Sequence, residues 1–237
     1  GRRTAPVTSA IKALHDVTAI QILDPKMRPR ACDVLVVPHH DPLTGANVLN
    51  TTGALSRITG QAVAEAALPW AERFADLPMP RLAVLIGGPS KSAGFDASDA
   101  LNLMLALRKL AQDHGLIIST SRRTSPELSR QIEAELSDRA FIFTGEGDNP
   151  YPGLLGHVDA VLVTKDSVNM ASEAASTGLP VHIFPISGIA PKIAAFHEHL
   201  ATHGASRPFT GEIDHWTYTP LAEADRIAAD LIRRGIV

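Results

Sequence analysis

Cysteine is almost missing from this chain: Cys32 is the one thiol among 237 residues. It has no partner for an internal disulfide and no second cysteine for a zinc knuckle, which fits a reducing compartment and a metal-poor fold. The expected location is the cytoplasm. Aromatic residues are sparse, with two Trp and two Tyr. No apolar run approaches the about 18 to 20 residues that span a bilayer. Positive charge is not in excess either: 22 Lys plus Arg stand against 25 Asp plus Glu, a formal charge of −3. That balance supplies no general electrostatic reason to seek nucleic acid or acidic lipid. The sequence therefore predicts no nucleic-acid partner and no transmembrane segment, with peripheral membrane contact still allowed. Two phosphate signatures are absent as well. Neither Gly-x4-Gly-Lys-[Ser/Thr] nor Gly-x-Gly-x-x-Gly occurs, which removes the P-loop ATPase and ordinary NAD readings.

What the chain does have is apolar material in regular alternation, 45% hydrophobic against 20% charged. Strands are expected at 17–23, 33–37, 82–86, 116–120, 141–144, 160–164 and 181–184. Helices are expected at 4–14, 62–74, 98–114, 126–136, 168–177, 191–203 and 221–234. From residue 82 onward, continuously apolar strands alternate with helices, the pattern of a parallel sheet covered on both faces. Asp76-Leu77-Pro78-Met79-Pro80 excludes helix and favours an extended connector. It sets the expected division into a partial N-terminal Rossmann-like domain, 1–77, a C-terminal Rossmann-like domain, 78–220, and a C-terminal helix, 221–237, packing back on the first. The chain opens Gly1-Arg2-Arg3-Thr4, without Met or a signal pattern, and reads as an internal piece of a longer polypeptide whose first domain is incomplete at its N-terminus.

Ligands of such sheets lie at the carboxyl ends of the strands, so the loops after strands carry the chemistry. Gly87-Gly88-Pro89-Ser90 offers small residues that let backbone N–H groups approach an anion, or simply a tight turn that needs glycine for its geometry. Thr120-Ser121-Arg122-Arg123-Thr124 places two guanidiniums at the same edge; Arg122, nearer the strand end, is favoured for phosphate or carboxylate, with a solvated helix entry as the alternative. The loop from Gly145 to Tyr151 is rich in turn formers and brings Glu146 and Asn149 to that edge. In the next loop Ser167 can cap a helix whose exposed first turn, near Met170, receives a diphosphate, while Glu173 accepts the hydroxyls of a ribose. The plainer alternative makes Glu173 a solvated helix residue. In the first half, His40 and Asp41 follow a strand as a general base and its orienting partner, with a structural or solvent role as the alternative. Adjacent histidines there face opposite ways and no third ligand accompanies them, so no metal site is expected.

Ser172-Glu173 with Gly178 and Pro180 is similar to the donor-binding helix of GT-B glycosyltransferases, notably the lipid II-forming N-acetylglucosaminyltransferases, and Gly87-Gly88-Pro89-Ser90 resembles the Gly-Gly-Ser loop of that fold. A closer resemblance is carried by Gly1-Arg2-Arg3-Thr4-Ala5-Pro6-Val7, Gln21-Ile22-Leu23-Asp24-Pro25, Thr120-Ser121-Arg122-Arg123-Thr124, Gly145-Glu146-Gly147-Asp148-Asn149-Pro150-Tyr151, Asp166-Ser167-Val168-Asn169-Met170-Ala171-Ser172-Glu173-Ala174 and Arg207-Pro208-Phe209-Thr210-Gly211. On these the chain resembles the bacterial family grouped with the plant mitochondrial fission factor of the elongated-mitochondria type. The resemblance implies an α/β, GT-B-like fold of two Rossmann-like domains with parallel sheets. It implies a nucleotide-sugar partner of the uridine diphosphate type, bound in the interdomain cleft, an unidentified acceptor, no further cofactor, and metal-independent glycosyl transfer. A nucleotide-sugar 2-epimerase and a non-catalytic adaptor remain the alternatives.

Overall fold

The apolar runs become parallel strands. The computed structural model describes residues 2–26 and 31–237; Gly1 of the opening motif lies outside them. The chain forms two compact units, 1–55 with 222–237, and 56–221.

In the first unit, helix α1 (Ala5–Leu14), with a proline in its first turn, precedes β1 (Ile20–Ile22), β2 (Val34–Pro38) and β3 (Val48–Thr51). The three strands pair in parallel in the order β1-β2-β3. All five residues of β2 are buried, as a central parallel strand requires. The C-terminal helix Glu223–Arg233 is part of this unit: Ile227 and Leu231 pack with Val34, Val36 and Leu49. Its first turn is tied down by polar contacts, since Glu223 accepts the Thr52 N–H at 2.9 Å and Arg226 donates to Glu223 at 2.8 Å and to the Asn50 carbonyl at 2.5 Å.

The second unit begins before the prolines at 78 and 80. The single helix expected at 62–74 is three pieces: α2 (Gly60–Ala67), a 3-10 turn Leu68–Trp70, and α3 (Ala71–Phe74). Pro69, lacking an N–H, sits at the junction. These pieces do not belong with the first sheet, as a boundary at 77 would have it. Val63, Trp70 and Phe74 share a core with Leu154, Leu155 and Val163. Packing there is close enough that a Cβ on Gly153 would stand 2.2 Å from the Ala66 carbonyl oxygen.

Strands β4 (Arg81–Ile86), β5 (Gly115–Thr120), β6 (Ala140–Phe143), β7 (Ala160–Thr164), β8 (Val181–Phe184) and β9 (Ser206–Pro208) form one parallel sheet in the order β6-β5-β4-β7-β8-β9. Between them run α4 (Ala97–Asp113), α5 (Pro126–Leu136), α6 (Val168–Ala175) and α7 (Pro191–Thr202). Caps set their starts: Ser125 accepts from the Leu128 N–H at 3.1 Å, and Asp96 and Asp99 form a reciprocal box. Side chains of α4 and α5, such as Leu103, Leu107 and Ile132, fill one face of the sheet with Val84 and Ile118. Those of α6 and α7, such as Ala171, Ala174 and Phe196, fill the other with Leu85 and Val163. Strands β3 and β9 were not expected from sequence: four and three residues long, they carry too short a pattern to stand out.

Strand order reverses between β4 and β7. From β4 the chain departs to the α4 side and from β7 to the α6 side, so the carboxyl edge between them is the topological switch point, where open α/β sheets place their ligands.

Candidate functional site

At that edge the loops after β4, β5 and β7 are joined around one carboxylate. Gly87 donates its N–H to the Thr164 hydroxyl at 2.8 Å, and Gly88 donates to Asp166 Oδ2 at 2.9 Å. The Thr164 hydroxyl in turn donates to Asp166 Oδ1 at 2.7 Å. From the β5 loop the Arg123 guanidinium reaches Asp166 Oδ2 at 2.7 Å and the Gly88 carbonyl. The Asp166 side chain has no exposed surface. A charge so buried must be paired and hydrogen-bonded, and these three donors do both.

This arrangement corrects two sequence expectations. The Gly87 and Gly88 amides do not face an open anion seat, because Thr164 and Asp166 engage them. Glycine is required at both positions by crowding: a Cβ on Gly87 would lie 2.0 Å from Asp166 Oδ2, and one on Gly88 2.0 Å from the Arg123 carbonyl oxygen. Both arginines are exposed, and it is Arg123, not Arg122, whose guanidinium reaches the buried Asp166 carboxylate. The Thr124 hydroxyl, 2.6 Å from the Gly87 carbonyl oxygen and accepting the Ser121 N–H at 2.9 Å, curls the β5 loop so that residue 123 meets Asp166. Ser90 is exposed and closes a tight turn, its N–H donating to the Ala93 carbonyl at 2.9 Å and its hydroxyl accepting the Ser92 N–H at 3.1 Å. Beside this turn, toward α4 and α5, lies a cavity of about 430 Å³ walled by Pro89, Phe95, Leu101 and Leu128.

On the other side of the switch point, Ser167 caps α6 by accepting the Met170 N–H at 3.4 Å, and Met170 packs partly on the core below. Glu173, one turn further along, is half-buried rather than solvated. Its Oε2 accepts the Tyr151 hydroxyl at 2.6 Å. Burial pushes the Glu173 carboxyl above its ordinary value, with the Tyr151 hydrogen bond pulling partly back. Burial first, then the Glu173 charge and the hydrogen bond, push the Tyr151 phenol upward, so it stays protonated and donates. Tyr151 ends the β6 loop. Asn149 Oδ1 accepts its N–H at 3.0 Å, while Glu146 and Asn149 themselves are exposed. Gly145 and Gly147, at φ +106° and +78°, make the turns that lead there.

His40 and Asp41 belong to the first unit, in the turn after β2; His40 is half-buried, and Asp41 is buried with its N–H donating to the Pro38 carbonyl at 2.9 Å. His197 and His203 bond the carbonyls of Lys165 and Thr219, each at 2.8 Å. Trp216 and Tyr218 hold segment 212–220 against the rest of the second unit, donating to the carbonyls of Gly204 and Leu179, each at 2.8 Å. Among the described residues no cluster of three or more His, Cys, Asp or Glu could hold a metal ion, and no helix is long and apolar enough to cross a membrane.

Sequence reasoning did not single out Arg123, Thr164 or Tyr151, and it did not foresee that Asp166 would be the buried centre of this cluster. An acidic residue two positions after a wholly buried strand, Ala160–Thr164, is the signal that could have exposed Asp166.

Known proteins share this architecture. A putative UDP-N-acetylglucosamine 2-epimerase from Listeria monocytogenes superposes with TM-score 0.56 at 13% identity, covering 98% of this chain and 70% of that one. MnaA of S. aureus, in a co-structure with UDP, superposes with TM-score 0.53 at 11% identity, covering 99% and 81%. The fold is thus GT-B-like, built on two parallel sheets. In sequence, the mitochondrial fission protein ELM1 of Arabidopsis thaliana is 34% identical over 270 residues, covering 99% of this chain, which spans 63% of that protein's length. The family model Mitochondrial fission ELM1 matches residues 1–235, and the chain belongs to that family.

Proposed function

We propose that the second unit binds a nucleotide-activated sugar of the uridine diphosphate type at the switch point between β4 and β7. The observation that carries this reading is a half-buried, hydrogen-bonded carboxylate, Glu173, on the helix that starts at the topological switch point. Glu173 accepts ribose hydroxyls, and N–H groups in the first turn of α6, around Ser167 to Met170, face the diphosphate. Gly87 and Gly88 shape the floor there through their contact with Asp166 and Arg123. The UDP held by the S. aureus neighbour agrees with the ligand class.

In the transferase reading an acceptor hydroxyl attacks the anomeric carbon and loses its proton to a base. The bond from that carbon to the diphosphate breaks, and the electron pair leaves with the diphosphate, stabilised by the α6 amides and dipole. Titrating UDP and a panel of UDP-sugars into the protein by calorimetry tests the binding; silence at millimolar ligand overturns it. A 2-epimerase reaction on the same ligand is favoured by the likeness in fold to the Listeria protein. It needs acids and bases around the sugar, whereas Asp166 is buried and paired with Arg123. Solvent deuterium entering the sugar carbon would support the epimerase and count against the transferase. An adaptor without ligand predicts no binding at all.

A further inference from the structure

We infer that Tyr151 is a specificity-determining residue: its hydroxyl holds the Glu173 carboxylate in one orientation and makes it select ribonucleotides over 2′-deoxyribonucleotides. This rests on the nucleotide-sugar reading above and adds to it a residue and a selectivity. A carboxylate has about four acceptor positions on two oxygens and, on a flexible side chain, no preferred direction. Here one position on Oε2 is taken by the Tyr151 hydroxyl at 2.6 Å, which leaves Oε1 and the remaining side of Oε2 for a ligand. Two acceptors side by side match a vicinal diol, the 2′- and 3′-hydroxyls of a ribose.

The phenol is held in place from both ends. Its ring packs partly on the core that includes Ala171, Ala174 and Leu154, and its backbone N–H is fixed by Asn149. The phenol oxygen, its one hydrogen given to Glu173, also has a lone pair that can accept one of the two ligand hydroxyls. A 2-deoxyribose leaves one of these acceptors unmatched in a half-buried setting, where an unpaired polar group costs more than it does in water.

The experiment is calorimetric titration of UDP and 2′-deoxy-UDP into the wild-type chain, Tyr151→Phe and Glu173→Gln, with melting curves on each. The wild type is expected to favour UDP by about tenfold or more, the loss attached to a hydrogen bond with a charged group. Tyr151→Phe is expected to weaken UDP and to bring the ratio of the two affinities toward one. Glu173→Gln, which keeps an acceptor for the phenol, is expected to do the same and provides the test should Tyr151→Phe fold poorly. A Tyr151→Phe protein that melts normally, binds UDP normally and keeps the wild-type ratio overturns the inference while leaving the nucleotide-sugar reading standing. A wild type that binds neither nucleotide at millimolar concentration overturns both.

Discussion

Arg123 reaches Asp166 Oδ2 at 2.7 Å across the mouth of the switch point, the guanidinium partly exposed and the carboxylate wholly buried. The pair is asymmetric. Arg123 can fall back on water, whereas Asp166 cannot.

The two adjacent arginines should therefore differ in their effect on stability. Arg122→Ala changes an exposed residue and is expected to shift the unfolding free energy by less than about 0.5 kcal/mol. Arg123→Ala leaves Asp166 with only the Gly88 and Thr164 donors and is expected to cost about 1–3 kcal/mol. Urea unfolding of both variants checks the contrast, and equal effects would return the inward role to Arg122.

Gly87 and Gly88 should both resist alanine, for different reasons. A Cβ at 88 meets the Arg123 carbonyl and the Thr124 backbone nitrogen, which cannot move without opening the β5 loop. A Cβ at 87 meets a side chain, the Asp166 carboxylate. Overpacking of this kind costs about 1–3 kcal/mol, and Gly88→Ala is expected to be the worse. Combining Gly87→Ala with Asp166→Ala should cost less than the sum of the two, because the second change removes the group the first collides with. Additive melting-temperature losses would show that the clash is not the cause.

Glu173→Ala should weaken UDP by about ten- to a hundredfold, the value of a hydrogen bond to a charged group of about 1.5–3 kcal/mol. It should also lower stability by about 1–3 kcal/mol, because the half-buried Tyr151 hydroxyl loses its acceptor. Affinity by calorimetry and stability by urea unfolding, measured together, separate the two losses. Normal binding would remove Glu173 from the site.

The pH dependence of Glu173 has a definite sign. Its folded pKa lies above the ordinary 4.5, because burial disfavours the charge. The stability it contributes as an acid is fully present below 4.5 and is lost as pH rises through the folded value. Glu173→Gln cannot charge, so the melting temperature of that variant relative to wild type should climb as pH rises through this window and then level off. Wild-type affinity for UDP should move with the same titration and strengthen with rising pH, since only the carboxylate accepts both hydroxyls. A difference in melting temperature that stays flat across the window would sink this assignment.

How much of this was legible in the residues follows from what is local. The apolar runs at 160–164 and 181–184 and the helix at 126–136 lie where the pattern puts them, because burial on both faces of a parallel strand, a Ser125 cap and a proline at the first helical position act within a few residues. The order of alternation was enough to place the loops after β4 and β7 at the carboxyl edge of a doubly wound sheet. Tertiary structure alone decided what those loops contain. Gly87 and Thr164 are 77 residues apart, and Tyr151 and Glu173 are 22 apart on different elements. An amide has no sequence signal for which acceptor it will meet, and neither does a carboxylate for its donor. The unit boundary at 55 was set the same way, since Val63, Trp70 and Phe74 are apolar enough for any core and only packing against residues 153–157 assigns them to the second. Periodicity states that a side chain must be buried; the partner that buries it is a property of the folded chain.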